Sequence, residues 1–232
     1  MFLKKAVLAV FLIIFTSVSA LWAGDSAIFV DLGFSPDGRT FMFGQYGVKS
    51  SSLYPWAEIY VVDVTGNNFV PGGRASLTQP SAIKAGQDGR GVFLQLVAAN
   101  SSLINRYNIN NQNQGLPLYI SREENPPAYG ETITFRDFLS GNKYEAKLIP
   151  TITGGGRNVR SQFYIDLSVN SKGQVKPYRV GNSHVTRNGI AQYNIKRVVI
   201  NDGGNSIIFV IEMKRVVSDG FEIRYMVEAV QL

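Results

Sequence analysis

The chain reads as a mainly β protein of antiparallel meanders, arranged as a sandwich or a partly open barrel, with one amphipathic α-helix inserted near residues 90–107. Three observations carry that expectation. Phe163, Ile165, Leu167 and Val169 alternate with Tyr164, Asp166 and Ser168, the period-two pattern of a half-buried strand, and similar segments recur along the chain. Turn-forming residues punctuate them. Only from Arg90 to Tyr107 does the spacing become helical.

The first element is a leader. Lys4 and Lys5 precede an unbroken apolar run, Ala6 to Phe15, and small residues come after it up to Ala20 and Ala23. A basic start, a short apolar core and a small residue before the cut mark a secretory signal peptide. The run is shorter than the ~20 apolar residues that span a bilayer, and Thr16, Ser17 and Ser19 keep it from continuing. Cleavage of residues 1–23 is therefore expected after Ala23, with Ala20 as second choice. That leaves 24–232 as a single exported, soluble β-rich domain without a stable membrane span, periplasmic or secreted.

Segments near 28–34, 40–47 and 57–64 form a first meander. Its opening reversal, Phe34-Ser35-Pro36-Asp37-Gly38, is the sharpest local signal: proline presets φ at one corner, and glycine supplies the positive φ that returns the chain. The helix comes next. Phe93, Leu96, Val97, Ile104 and Tyr107 share a stripe with Leu103 beside it, which predicts about five turns. Asp88 is a candidate cap and Asn100 a polar interruption of the stripe. The Asn/Gln tract Asn108 to Gln114 reads as an exposed connection.

Strands are then expected near 131–136, 143–149, 163–169, 174–180, 194–200, 206–213 and 221–230. Ser140-Gly141-Asn142 and Asn170-Ser171-Lys172-Gly173 mark hairpins, since asparagine and glycine tolerate the φ such turns need. The last three strands, with Asn201 to Asn205 at their first turn, repeat the first meander weakly. Two meanders at the chain ends, side by side in one sheet, is the expectation.

Composition excludes several chemistries. There is no cysteine, so disulfides, thiolate metal sites, cysteine nucleophiles and a lipid-anchored cysteine are ruled out. Without the leader's two lysines the net charge falls from +6 to +4. Residues 151–200 carry Arg157, Arg160, Lys172, Lys176, Arg179, Arg187, Lys196 and Arg197 against Asp166 alone. Such a face suits anionic envelope polymers or lipid headgroups, or simply solvates strand edges. Export disfavours nucleic acid as a partner.

His184 is the only histidine and has no carboxylate near it in sequence, whereas general bases and metal ligands sit among partners. No Gly-x-Ser-x-Gly elbow exists, and Gly154-Gly155-Gly156-Arg157 lacks the Lys-Ser/Thr of a phosphate loop. Asp31, Glu58 and Asp63 are the carboxylates from which a glycoside hydrolase would be built. Glu58 and Asp63, at odd spacing, face opposite ways on one strand. No catalytic residue, metal ligand or cofactor is assigned. Tyr54 and Trp56, on the loop before the third strand, are the candidate binding residues. They form a platform for sugar rings or a partner's side chains, or a lid folded back over the sheet.

Leu32-Gly33-Phe34-Ser35-Pro36-Asp37-Gly38-Arg39, Phe43, Tyr46-Gly47-Val48, Tyr54 through Asp63, and Val70-Pro71-Gly72 together resemble a bacterial family of predicted secreted proteins, domain-of-unknown-function family 2259. The resemblance implies a secreted location and no activity. It is poorer in the middle, where the family's helix tends to be alanine-rich and this one is not. The Ser-Pro-Asp-Gly turn is also similar to that of periplasmic TolB-type propeller blades, but only two meanders occur where a propeller needs at least four blades. The functional expectation is a non-catalytic binding or interaction protein whose partner is an unknown envelope protein or glycan. The alternatives are a carboxylate-dependent carbohydrate-active hydrolase and a propeller-like docking scaffold.

Overall fold

The computed structural model describes residues 25–84, 86–121, 130–218 and 220–232; the expected leader lies outside them. The first sheet is a four-stranded antiparallel meander, β1 (Ile28–Phe34), β2 (Thr40–Val48), β3 (Pro55–Asp63) and β4 (Asn68–Thr78). Helices α1 (Arg90–Ala99) and α2 (Ser101–Arg106) come next, then β5 (Leu116–Ile120). A second sheet holds β6 (Thr132–Arg136), β7 (Lys143–Thr153) and β8 (Arg160–Ser171), with β9 (Gln174–Val180) and β10 (Arg187–Asn188) both paired to β8. The third sheet runs β13 (Gly220–Gln231), β12 (Ser206–Val217), β11 (Ile190–Ile200), β5.

The third sheet is the middle layer. On one face Ile207, Phe209 and Ile211 of β12 join Leu148, Phe163, Ile165 and Leu167 of the second sheet. On the other, Ile208 and Val210 join Phe34, Phe41, Phe43 and Val62 of the first. Burial on both faces explains the unbroken run Ile207-Ile208-Phe209-Val210-Ile211, because no position of such a strand meets water. β8, covered on one side only, keeps the alternation that marked it in the sequence. The mainly β class with antiparallel meanders is as expected; the strands fall into stacked sheets and form no closed barrel.

α1 makes a fourth layer. Val92, Phe93 and Leu96 pack on Met42, Tyr46, Ala57, Ile59 and Val61, the face of the first sheet turned away from the third. Gly44 permits this approach: a Cβ there would lie 2.4 Å from Phe93 Cε2. The helix is not continuous over 90–107. It breaks at Asn100, whose Nδ2 donates to the Leu96 carbonyl at 2.8 Å, the local competition with helical bonding that asparagine offers. Asp88 accepts the Arg90 N–H at 2.9 Å, but Gly89 holds the cap position.

The two chain-end meanders do not share a sheet. They face each other in different layers and meet at their turns: a Cβ on Gly38 (φ +69°) would lie 2.1 Å from Asn201 Nδ2. In the first turn Ser35 Oγ donates to Asp37 at 2.6 Å and the Ser35 N–H to the Thr40 carbonyl at 2.9 Å. In the second, Asn201 Oδ1 accepts the Asn205 and Ser206 N–H groups at 3.0 and 2.8 Å. Strands β4, β5 and β10 were not expected. Pro71, Gly72 and Gly73 hide β4, an edge strand whose register shifts opposite Tyr60 and Val62, where proline is tolerated. The Asn/Gln tract is more than a connection, since the Asn110 N–H donates to the Phe34 carbonyl at 3.0 Å and the Phe34 N–H to the Asn113 carbonyl at 2.8 Å.

Candidate functional site: a basic cleft between the sheets

Where the three sheets come together they leave a cleft of about 1080 Å3. Its walls are the turn from Thr65 to Asn68, the last residues of β13, and β9 with the loop after it. Glu228 of β13, only 5% exposed, joins all three. Its Oε2 accepts from Asn67 Nδ2 at 2.6 Å and its Oε1 from an Arg187 guanidinium N–H at 3.3 Å. Gly181 lies against it so closely that a Cβ would be 3.3 Å from the carboxyl carbon. Burial pushes the Glu228 carboxyl above the ordinary glutamate range, while the Asn67 amide and the Arg187 charge pull it back.

Asn67 holds the left-handed conformation (φ 46°) that asparagine tolerates. Its Oδ1 accepts the Ala229 N–H at 2.7 Å, and Thr65 Oγ1 donates to Gln231 at 2.7 Å. The β3–β4 turn is thus clamped along β13. Around it stand four cations: Arg74, 3.8 Å over the Phe69 ring; Lys176, 4.7 Å over Tyr178; Arg179, 3.2 Å from Asp166; and Arg187. Among the described lining residues Glu228 has the single acidic side chain. Low-dielectric walls and one dominant sign of charge concentrate anions in such a space.

His184 also lines the cleft, its main-chain N–H donating to Asn182 Oδ1 at 2.8 Å. Sequence reasoning saw this histidine alone, because Glu228 and Asn67 reach its neighbourhood from other sheets. The basic excess of residues 151–200 divides. Lys176, Arg179 and Arg187 face the cleft, whereas Lys196 pairs with Glu212 at 3.6 Å and Arg197 with Asp31 at 3.7 Å.

The residues singled out in the sequence lie elsewhere. Trp56 is buried, donating from Nε1 to Asp25 Oδ2 at 3.0 Å, with the Arg224 guanidinium 4.1 Å over its ring and 2.7 Å from the same carboxylate oxygen. Tyr54 is half-buried just before β3. The three carboxylates do not converge. Asp31 accepts the Gly33 N–H at 3.0 Å, Glu58 accepts from Gln45 at 2.9 Å and from the Tyr60 hydroxyl at 2.7 Å, and Asp63 accepts the Thr65 N–H at 3.1 Å. Among the described residues no group of three or more His, Asp or Glu side chains is placed to hold a metal ion. None of the described helices is long and apolar enough to cross a membrane.

A sequence model of the predicted secreted proteins of domain-of-unknown-function family 2259 matches residues 42–231. The chain belongs to that family. Among curated proteins and among solved structures, nothing matches it. The family 2259 match runs from Met42, within β2, through β13 and takes in all the described cleft-lining residues except Leu232, while the Ser35-Pro36-Asp37-Gly38 turn lies before its first matched residue.

Proposed function

We propose that this family 2259 member is a non-catalytic binding protein of the cell envelope, periplasmic or released, acting as one exported domain of residues 24–232 whose cleft holds an acidic glycan. The observation that carries the reading is the charge imbalance of the cleft: Arg74, Lys176, Arg179 and Arg187 against Glu228, whose own protonation is favoured by burial. The side-chain amides of Asn68, Asn182 and Gln231 add hydrogen-bonding groups of the kind that hydroxylated rings accept and donate to. Glycoside hydrolysis by two carboxyls about 5–10 Å apart is less well supported, because Asp31, Glu58 and Asp63 are each engaged at a separate place.

Calorimetric titration with polygalacturonate and with neutral dextran tests this. The acidic polymer binds, and raised salt weakens it by screening. The double substitution Arg74→Gln/Lys176→Gln lowers its affinity about tenfold, each exposed cation contributing on the order of 0.5–1 kcal/mol. Tyr54→Ala leaves it unchanged. Equal binding of dextran, or loss of affinity in Tyr54→Ala alone, would move the ligand away from the cleft.

A further inference from the structure

At the far end of the second sheet the β6–β7 turn does something unusual for a soluble surface. Phe138 and Leu139, side by side in the turn, are 87% and 80% exposed, and Val175 at the start of β9 is 61% exposed. These are the three most exposed large apolar side chains among the described residues. They share one end of one sheet: Lys143, at the foot of the β6–β7 hairpin, pairs with Asn170, which pairs with Val175.

The turn is held firmly while its apolar side chains stay uncovered. The Asp137 carboxylate accepts the Leu139 N–H at 2.8 Å, the Ser140 N–H at 3.3 Å and the Ser140 hydroxyl. The Asp137 N–H donates to the Asn142 carbonyl at 3.0 Å and the Gly141 N–H to the Asp137 carbonyl at 2.9 Å. Phe138 and Leu139 are thereby presented to solvent on a braced tip, with the Arg136 guanidinium 5.7 Å from the Phe138 ring.

Cations surround that tip. Arg136 and Lys143 are paired across the hairpin, and Lys147 lies two pleats beyond Lys143 on the same outward face. Lys172, in the left-handed conformation (φ 51°), forms the neighbouring β8–β9 turn. Two carboxylates share this face, Glu145 and, opposite Lys147, Asp166, which is paired with Arg179; Asp137 is buried in the turn.

We propose that this end of the second sheet is a lipid-docking element, which inserts Phe138 and Leu139 into the headgroup–acyl boundary of a bilayer carrying anionic phospholipids. The apolar contact, two or three side chains, is small beside the ~800 Å2 per partner of a stable protein interface. It suits shallow insertion, where a small apolar anchor and a basic ring act together and neither suffices alone. The inserting residues Phe138 and Leu139, with Arg136, Lys143 and Lys172, lie outside the cleft lining, although β9 carries Val175 at this end and Lys176 and Arg179 in the cleft.

The test is flotation of the purified protein with vesicles of phosphatidylcholine alone or mixed with phosphatidylglycerol. The protein floats with the mixed vesicles and not with phosphatidylcholine. Phe138→Ser/Leu139→Ser lowers that partitioning at least tenfold without changing the thermal midpoint. Lys143→Gln and Lys172→Gln each lower it by roughly fivefold. Phe138→Trp, read against the Trp56 background, shifts its emission to the blue on mixed vesicles only. Failure of the parent protein to float, equal flotation of the double serine variant, or an unshifted Phe138→Trp that still floats would each overturn the proposal. Binding to polygalacturonate by the double serine variant keeps the two sites distinguishable.

Discussion

Asp31 sits at a bulge of β1, where burial pushes its carboxyl from 3.8 up to about 6 against the pull of Arg197 and the Gly33 N–H. The folded chain therefore keeps this proton to higher pH than the unfolded chain does. Its contribution to stability is fully present below about pH 4 and is lost as pH rises through about 6. A shift of about two units corresponds to about 3 kcal/mol. Asp31→Asn keeps an oxygen for the Gly33 N–H and removes the titration. The variant should be more stable than the parent at pH 7.5 and should have lost this part of the pH dependence, as urea unfolding at pH 4.5 and 7.5 would show. A variant less stable than the parent at pH 7.5 contradicts the assignment. The sequence placed Asp31 on a strand, but the groups that meet it there, the Arg197 guanidinium at its carboxylate and the Gln114 amide at its main-chain carbonyl, are both distant in the chain.

Among the elements, α1 shows what periodicity does and does not carry. Its apolar stripe was legible because 3.6-residue spacing is a property of the helix alone. Its partner was not, and neither was the reason for Gly44, which is a contact with Phe93 across the layer boundary. Gly44→Ala drives a methyl group into that ring and should destabilise by about 1–3 kcal/mol. Shortening the ring with Phe93→Leu in the same chain should recover part of the loss, giving a coupling that two independent sites lack. Thermal melts of the two single variants and the double variant measure it; strict additivity would show that the two do not touch. The break at Asn100 was foreshadowed, since an asparagine on an apolar stripe has its own backbone bonds to offer. β4 stayed hidden behind Pro71-Gly72-Gly73, which break the alternation in sequence yet fit an edge strand.

For the whole molecule, stacking three sheets makes the middle one the structural link between the others. Phe209 lies between the middle and second sheets, whereas Trp56, the sole tryptophan beyond the leader, reports on the first sheet where it meets β13. Phe209→Ala should cost about 3–5 kcal/mol. If the layers unfold as a unit, Trp56 fluorescence and far-ultraviolet circular dichroism should shift together to one lower urea midpoint. A fluorescence midpoint that stays in place while the dichroism midpoint falls would mean that the first sheet unfolds by itself. The cleft belongs to this scale too, because no single sheet contains it.

By itself the sequence determined the class and most of its punctuation: period-two segments, the reversals at Pro36-Asp37-Gly38 and Lys172-Gly173, the helical stripe, and the family resemblance now matched over residues 42–231. These are local properties, set by side-chain spacing and by the φ values that a few residues permit. Only the tertiary structure decided which face meets which, and so placed Glu228 beside Asn67, 161 positions away, and Arg187, 41 positions away. Alternation records that a side chain leaves water; it carries no information about the distant group that takes the water's place.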